Sequence, residues 1–355
     1  MTRMENGTAR GKKFWVGGAT GFLGSHLVRV LRAAGHDVVA VSRGGGDVDG
    51  VPVARVDVLD EDAVAESARG VDGAFLATGK VARDKDAAGE LHRLHVVGTK
   101  TALAGLKRVG VPRVVVASTS GTIAVGTDPD RVYDESVSAP LEIIAPWPYY
   151  RSKLYAEREA LAANEPGFEV VVVNPSLLLG PGDLRESSTA DVRLFLSKSV
   201  PAIPAGGMAF VDVRDAAEGM RLAFERGRPG ERYLLNGKNL SVAAFFARLE
   251  RISGVKGPSL PLPRSRPVAI GIGKLYRRAV KAMGGEPPVD ETTLEMGQYF
   301  WYCDSSKAER ELGFSARDPG ETLRDTIDDL VARHVVFLKR EARTGESAER
   351  GTIVS

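Results

Sequence analysis

The stretch that decides the fold is VGGATGFLGSHLV, residues 16–28. Gly18 ends a short apolar segment, KFWVGG, and Gly21 and Gly24 lie between it and a segment with helical spacing, SHLVRVLRAAGH. In such a turn one glycine permits the tight bend, the next lets backbone N–H groups approach a pyrophosphate, and the third lets helix pack closely on strand. The chain has 40 glycines, so the position directly after the first strand carries the prediction. We expect the phosphates of a dinucleotide at the positive end of this helix.

Valine-rich segments alternate with helical segments downstream of this turn. The apolar runs are DVVAVS, VPVARVDV, VDGAFLAT, PRVVVAS and EVVVVNPS. Short continuous apolar runs between helices are typical of a parallel sheet buried on both faces. Right-handed crossovers then give a doubly wound sheet. The sequence therefore predicts an α/β fold, a Rossmann-type doubly wound parallel sheet with a smaller, discontinuous C-terminal substrate domain.

The domain boundaries are predicted from a break in this rhythm after Pro175. Beyond Leu240 the pattern is mostly helical and is interrupted by the proline-rich GPSLPLPRSRP. We expect one dinucleotide-binding domain and one substrate domain that lies over the carboxyl edge of the sheet. The predicted bounds are 12–178 with 207–236 for the first domain, 179–206 with 237–338 for the second, and 1–11 and 339–355 for flexible termini.

The composition excludes several classes of partner. A formal net charge of +2 gives no reason to expect nucleic acid or an anionic membrane as the main partner. The lone Cys303 excludes an intrachain disulfide and suits a reducing compartment. No secretory signal and no apolar run near the ~20 residues of a membrane span is present. We predict a cytoplasmic protein without an integral span or a metal site.

One segment leaves an alternative open. VAIGIGKLYRRAVKAMG, residues 268–284, is apolar first and basic later. Such a pattern suits a membrane surface. A bundle or lid helix with a solvated basic face is the favoured interpretation.

The end of the second strand predicts which dinucleotide binds. An NAD site usually has Asp or Glu there, which accepts hydrogen bonds from the ribose 2′-hydroxyl. This strand ends VVAVSRGGGD, with Ser42 and Arg43 in that place. A guanidinium binds a 2′-phosphate with paired, charge-assisted hydrogen bonds, so NADP is predicted, with NAD as the alternative. Asp47 is several residues farther on and is a poor substitute for the missing acid. Asp57 and Val58 are expected to border the adenine.

Three tyrosines lie close together in PWPYYRSKLYAERE, residues 146–159. Residues four apart share a helix face, and only Tyr149 has a lysine, Lys153, at that spacing. A free tyrosine has a pKa of about 10, and a neighbouring ammonium lowers it. Tyr149 is therefore the predicted catalytic phenol, and Tyr150 and Tyr155 are not. VVVASTSG ends the fifth strand, where a hydroxyl faces the cofactor and can bind a substrate oxygen.

These motifs together resemble the extended short-chain dehydrogenase/reductase family, which includes the NAD-dependent epimerase/dehydratase proteins. The resemblance spans about residues 13–334 and rests on GGATGFLG, DVLD, ASTSG, YYRSK, VVNPSLLLGPGD, FVDVRDAAEG and SSKAERELGF. Within the family the chain is most similar to the dihydroflavonol reductase-like branch.

The resemblance implies three catalytic residues. Tyr149 is implied as acid/base, Lys153 as its pKa partner and ribose ligand, and Ser120 as the residue that orients the substrate oxygen. The full predicted cofactor set is Gly18, Thr20, Gly21, Phe22, Leu23, Gly24, Ser42, Arg43, Asp57, Val58, Ala77, Thr78, Tyr149, Lys153, Pro175 and Ser176.

Two positions depart from the family pattern. His95 stands where the family often has Asn, and is either a substitute in a water or backbone contact or a packed histidine. Met208 stands where nucleotide-sugar enzymes commonly have a pyrophosphate-binding Arg. Arg185 and Arg214 are candidate replacements, although surface roles are favoured for both.

Three functions are weighed. The first is an NADP(H)-dependent reductase of a ketone or aldehyde on a small, mostly apolar molecule. The second is an NAD-dependent sugar or nucleotide-sugar epimerase/dehydratase, and the third is a non-catalytic dinucleotide sensor. The intact Ser120, Tyr149 and Lys153 set argues against the sensor. The chain is expected to be a monomer or a homodimer that pairs through helices 90–109 and 149–163.

Overall fold

The computed structural model describes residues 11–338. Of the terminal segments predicted to be flexible, 1–11 and 339–355, all but Gly11 lies outside the described residues.

The central layer is an eight-stranded sheet. The strands of the described chain are β1 Lys13–Gly17, β2 Asp37–Ser42, β3 Gly46–Val48, β4 Val51–Arg55, β5 Gly73–Leu76, β6 Arg113–Ala117, β7 Glu169–Pro175, β8 Leu177–Leu179, β9 Gly207–Asp212, β10 Arg232–Leu235 and β11 Lys238–Ser241. Their order in the large sheet is β10-β7-β6-β5-β1-β2-β4-β3, parallel throughout except for β3 on β4. Strand order reverses beside β1, which is the doubly wound arrangement predicted from the valine runs.

Helices cover both faces of the sheet. They are α1 Phe22–Ala33, α2 Glu61–Ser67, α3 Ala88–His92, α4 Gly98–Arg108, α5 Leu141–Ile144, α6 Pro148–Ala162, α7 Ala190–Leu196, α8 Val213–Arg226, α9 Val242–Ser253, α10 Arg266–Ala282, α11 Glu291–Met296, α12 Ser306–Leu312 and α13 Pro319–Ala332. One π-helical turn, Arg93–Val97, joins α3 to α4.

Side chains of the central strands alternate between the two faces. Val115 packs in one cluster with Leu27 of α1 and residues of α8. Val114 and Val116 pack in another with Leu103 of α4. Both faces are buried, which is why these strands carry uninterrupted valines.

A second, three-stranded sheet has the order β11-β9-β8. Helices α7, α9 and α13 pack on it around Phe195, Phe245 and Leu323. Strand β9 lies in this smaller sheet, although α8, directly after it, packs on α1. The division into 12–178 with 207–236 and 179–206 with 237–338 stays a prediction. No helix among residues 11–338 is long and apolar enough to cross a membrane.

Candidate active site

The glycine turn joins β1 to α1, and its three glycines differ in their surroundings. Gly18 has a φ of +79°, and a Cβ there would lie 2.9 Å from the carbonyl group of Ala77. A Cβ at Gly24 would lie 2.1 Å from the carbonyl oxygen of Gly18, so α1 packs on the turn too closely for any side chain. At Gly21 a Cβ would meet only that oxygen, at 3.1 Å. Gly18 therefore makes the bend, Gly24 permits the packing, and Gly21 leaves space open.

The open space at Gly21 faces the start of α1. Gly21 is the N-cap residue, and no side chain caps the helix. The first N–H groups of a helix lack intrahelical partners and carry partial positive charge. A phosphate group is a suitable partner for them.

A cavity of about 1450 Å³ extends from this turn along the carboxyl ends of β1, β2, β4 and β5. The predicted cofactor residues that line this larger cavity are Gly18, Thr20, Gly21, Phe22, Ser42, Arg43, Asp57, Val58, Ala77 and Thr78. Gly24 lines neither this cavity nor the next, because it packs against the turn.

The β2 end of the larger cavity carries both signs of charge. Arg43 is exposed on its lining, while the hydroxyl of Ser42 donates to the carbonyl oxygen of Gly45 at 3.2 Å. Strand β3 folds back on β4 and brings Asp47 to the same lining. The hairpin therefore places Asp47 on the same cavity lining as Arg43, and the interpretation of Asp47 as a poor substitute for the missing acid stays a prediction.

These residues fit a nicotinamide dinucleotide. The hydroxyl of Thr78 is buried and has no hydrogen-bond partner among residues 11–338, and Thr78 borders both cavities. The uncapped start of α1 and the unfilled space at Gly21 provide the remaining requirements of a pyrophosphate site.

A second cavity, of about 590 Å³, adjoins the first. The predicted residues that line this smaller cavity are Leu23, Ser120, Tyr149, Lys153, Pro175 and Ser176, and those shared with the larger one are Gly21, Phe22, Ala77 and Thr78. The structure thus brings the three predicted catalytic residues, Ser120, Tyr149 and Lys153, together on the lining of the smaller cavity.

Helix α6 presents Tyr149 and Lys153 one turn apart. The ammonium of Lys153 donates to the carbonyl oxygen of Ala117 at 2.7 Å, which ties α6 to the end of β6. Burial lowers the pKa of Lys153 to about 8, although the carboxylate of Glu157 opposes the shift. The lysine is therefore mostly charged at neutral pH and becomes neutral in mildly alkaline solution.

Burial determines the protonation state of the Tyr149 phenol. Burial, and then the phenol of Tyr150, raise the pKa of Tyr149 above its usual value. Burial is the larger of these two causes, and the expectation that Lys153 and a bound nicotinamide bring this pKa towards neutrality stays a prediction. Tyr149 is then a protonated phenol, the form that a general acid requires.

Tyr150 and Tyr155 differ in burial and in their position relative to the smaller cavity, which the sequence does not indicate. Tyr150 also lines the smaller cavity, with its ring centroid 5.0 Å from that of Tyr149 and 4.9 Å from that of Trp301. Tyr155 is 40% exposed and lines neither cavity. Residue spacing along α6 does not predict this difference, because it does not show which other elements pack against each face of the helix.

Three hydroxyl side chains follow β6, and they lie in different surroundings. Ser118 donates to the buried carboxylate of Glu157 at 2.5 Å. Ser120 is 5% exposed and borders the smaller cavity. Thr119, which sequence reasoning passed over, is less buried and lines that cavity. Two hydroxyls, of Thr119 and Ser120, are thus within the candidate site.

Comparisons with known proteins identify the family of this chain. The chain matches the NAD dependent epimerase/dehydratase family over residues 15–235. It belongs to that family. A Synechocystis sp. protein named for dihydroflavonol 4-reductase is 32% identical over 326 residues, covering 88% of this chain and 93% of its own length. The protein named Sterol demethylase protein B, from Methylococcus capsulatus, is 33% identical over 322 residues, covering 88% of this chain and 96% of its own.

The solved structures confirm the fold of this family member. The crystal structure of gox2253 matches with a TM-score of 0.78 at 29% identity, and the match covers 92% of this chain and 100% of that one. With the family match and the reductase-named relative, the protein is an NAD(P)-dependent reductase/dehydrogenase of the extended short-chain type.

The structure shows where Met208, which departs from the family pattern, and its two candidate replacements lie relative to the cavities. Met208 lines the smaller cavity. Arg214 donates to Asp212 and Asp325 at 2.6–2.8 Å and lines neither cavity, so it does not replace an arginine at Met208. Arg185 is exposed at the edge of the larger cavity.

His95 is both packed and hydrogen-bonded to the backbone. It is 2% exposed, and its Nε2 accepts from the backbone N–H of Lys80 at 3.1 Å. Its Nδ1 therefore carries the hydrogen and donates to the hydroxyl of Ser152 at 2.8 Å, which donates to the carbonyl oxygen of Tyr149 at 2.8 Å. The histidine links the loop after β5 to the start of α6.

His95 gives a testable pH dependence. Burial and the ammonium of Lys153 lower the pKa of His95 to about 3. In the unfolded chain the value is about 6.5, so at pH 5 the unfolded state binds a proton that the native state does not. Stability should fall as the pH drops below about 6.5, by about 2 kcal/mol at pH 5 from this residue. Urea unfolding of wild type and of His95→Gln at pH 7.5 and pH 5 measures it.

The His95→Gln variant provides the control for other groups that titrate between pH 5 and pH 7.5, His26 among them. The loss of stability between the two pH values should be smaller in His95→Gln by about 2 kcal/mol. Equal losses in the two proteins would show that His95 does not stay neutral in the native state.

Arg83 is the residue that sequence reasoning missed. It lies in the loop after β5, lines both cavities, and donates to Asp191 of α7 at 3.2–3.3 Å and to Thr293 of α11 at 2.8 Å. No motif surrounds it in the sequence. Arg83 therefore joins the loop after β5, which borders the larger cavity, to helices α7 and α11, which border the smaller cavity.

Proposed function

We propose that this protein is an NADP(H)-dependent reductase of a ketone or aldehyde on a small, mostly apolar molecule. The observation that carries the proposal is the apolar lining of the smaller cavity beside Tyr149. Apart from the predicted residues, its apolar side chains include Trp147, Leu178, Leu194, Met208, Phe245, Phe246, Leu262, Met296 and Trp301. The relatives named for a dihydroflavonol reductase and a sterol demethylase protein support an apolar substrate.

The chemistry follows from the protonation states. Bound NADPH would supply the hydride that adds to the carbonyl carbon. Tyr149 donates its phenolic proton to the carbonyl oxygen, so the C=O bond becomes an alcohol C–O–H. The ammonium of Lys153 stabilises the phenolate that forms, and a hydroxyl of Thr119 or Ser120 holds the oxygen in place. The phenol then regains a proton from solvent.

The epimerase/dehydratase alternative requires a cation that binds the pyrophosphate of a nucleotide sugar. Met208 occupies the position of the usual arginine, and the charge of Arg214 is neutralised by two carboxylates. The deciding experiment follows the nicotinamide absorbance with NADPH and with NADH against ketones, aldehydes and nucleotide sugars. Net oxidation of NADPH by an apolar carbonyl supports the reductase. Conversion of a nucleotide sugar without net oxidation would overturn it.

Cofactor preference rests on Arg43. Arg43→Ala should weaken NADP binding by about tenfold to a hundredfold, because an exposed charge-assisted pair contributes roughly 1.5–3 kcal/mol. NAD binding should stay within about twofold, since NAD lacks the 2′-phosphate that this guanidinium is proposed to bind. Isothermal calorimetry with both dinucleotides measures this. Arg55→Ala is the matched control, because Arg55 is exposed nearby but lines neither cavity. Equal losses for NADP and NAD would contradict a 2′-phosphate contact.

We further propose that the enzyme acts in the cytoplasm as a monomer or a homodimer. Support for pairing comes from two exposed apolar side chains, Val97 at 41% and Tyr155 at 40%, on neighbouring helical segments. Sedimentation velocity of wild type and of Tyr155→Ser distinguishes the two states.

A further inference from the structure

Helix α10 carries an unpartnered apolar stripe. Val268, Ile272, Leu275 and Met283 are 51%, 44%, 69% and 78% exposed, and their spacing places them along one face. The opposite face packs on α11, where a Cβ at Gly273 would lie 2.8 Å from Leu294. An exposed apolar stripe of this length on a folded domain marks an interaction surface.

The segment that carries the stripe is basic. Between 264 and 285 the chain has six cations and no acidic residue, and the cations are Arg264, Arg266, Lys274, Arg277, Arg278 and Lys281. Lys274 pairs with Glu291 at 3.0 Å, and Arg277 donates to a backbone carbonyl. Arg264, Arg278 and Lys281 are exposed and pair with no acid among residues 11–338.

The stripe is continuous with the smaller cavity. Ile272 and Tyr276 of α10 line that cavity, as does Leu260, which is 63% exposed. Apolar side chains of α10 thus belong both to the exposed surface of the helix and to the lining of the cavity that holds Tyr149.

We propose that α10 docks this protein on an anionic lipid surface. The helix lies in the plane of the interface, its stripe enters the boundary between headgroups and acyl chains, and the cations contact anionic headgroups. A second copy of the chain is a poorer occupant, since symmetric pairing of two α10 faces would bring twelve cations together. The docking surface does not depend on the proposed reaction, and it favours the membrane interpretation of 268–284 over a solvated lid.

Vesicle co-sedimentation of the full chain tests the proposal. The vesicles are phosphatidylcholine alone, and phosphatidylcholine with phosphatidylglycerol, each at low and high salt. We expect partitioning into the anionic vesicles only, and its loss at high salt. Arg278→Gln with Lys281→Gln should lower partitioning at least tenfold, since each cation near the surface contributes roughly fivefold. Leu275→Gln with Met283→Gln should lower it at least fivefold.

Matched variants remove similar groups elsewhere. Val132→Gln removes an apolar side chain that is 50% exposed, and Arg69→Gln with Lys238→Gln removes two exposed cations. Both should bind vesicles as wild type does, and thermal melts establish that every variant folds. Equal binding to neutral and anionic vesicles, or wild-type binding by the stripe variant, would overturn the proposal. So would vesicle-independent dimers that the stripe variant abolishes, because a second copy would then be the occupant.

Discussion

Tyr149→Phe should lower turnover about 100-fold or more while cofactor affinity stays within about twofold. The substitution keeps the ring, which packs against His95 and Tyr150, and removes only the proton donor. Without it the oxygen must take its proton from water, which is not positioned. Turnover measured against pH, with dinucleotide affinity determined separately, gives the result. A variant that kept the wild-type rate would show that the proton comes from another group.

The neighbouring tyrosines are the controls. Tyr155→Phe should be silent, because Tyr155 is exposed and lines neither cavity. Tyr150→Phe should change KM more than kcat, because its ring lines the smaller cavity but has no lysine one turn on. Should Tyr150→Phe be the inactive variant, the assignment of Tyr149 would be wrong.

Lys153 gives this prediction a second readout. Its pKa of about 8 means that the wild-type reduction rate should decline above about pH 8, as the ammonium that stabilises the phenolate is lost. In Lys153→Met the overall rate should be lower and this decline should be absent. A structural role alone would lower the rate without changing the shape of the pH profile.

The fold was predictable because its signals are local. Valine runs that alternate with helices leave little choice except a sheet covered on both faces, and G-x-x-G-x-x-G places the cofactor turn. The family match confirms this fold class. Strand β9 was harder to place, because an apolar strand has the same sequence pattern in either sheet. Only its pairing with β8 and β11 shows that it belongs to the smaller sheet.

The candidate site was predictable only where one helix or one turn holds it. Tyr149 and Lys153 are four residues apart on α6, so their proximity follows from helix geometry. Arg83 borders both cavities and contacts Asp191 and Thr293, which are 108 and 210 residues away in the sequence, and no spacing encodes such contacts. Charge states were also beyond the sequence. The phenol of Tyr149 is buried, and this desolvation raises its pKa.

Gly21→Val should yield a folded protein that no longer binds dinucleotide, with affinity lowered about 100-fold or more. The backbone at Gly21 has φ −77° and ψ 167°, which valine adopts readily, and its Cβ would meet only one atom, at 3.1 Å. The isopropyl group would occupy the space at the start of α1 where a pyrophosphate must approach the N–H groups. Calorimetric titration with NADPH and NADP, beside a thermal melt, measures both parts of the prediction.

Two other glycines separate binding from folding. Gly24→Val should not fold, because its Cβ would lie 2.1 Å from the carbonyl oxygen of Gly18. Gly89→Val should bind dinucleotide normally, since nothing lies within 4 Å of a Cβ there and Gly89 lines neither cavity. The three variants add the same side chain, so any difference among them reports position alone. Unchanged affinity in folded Gly21→Val would require the phosphates to bind away from the α1 turn, and the roles of Arg43 and Thr78 would then fail with it.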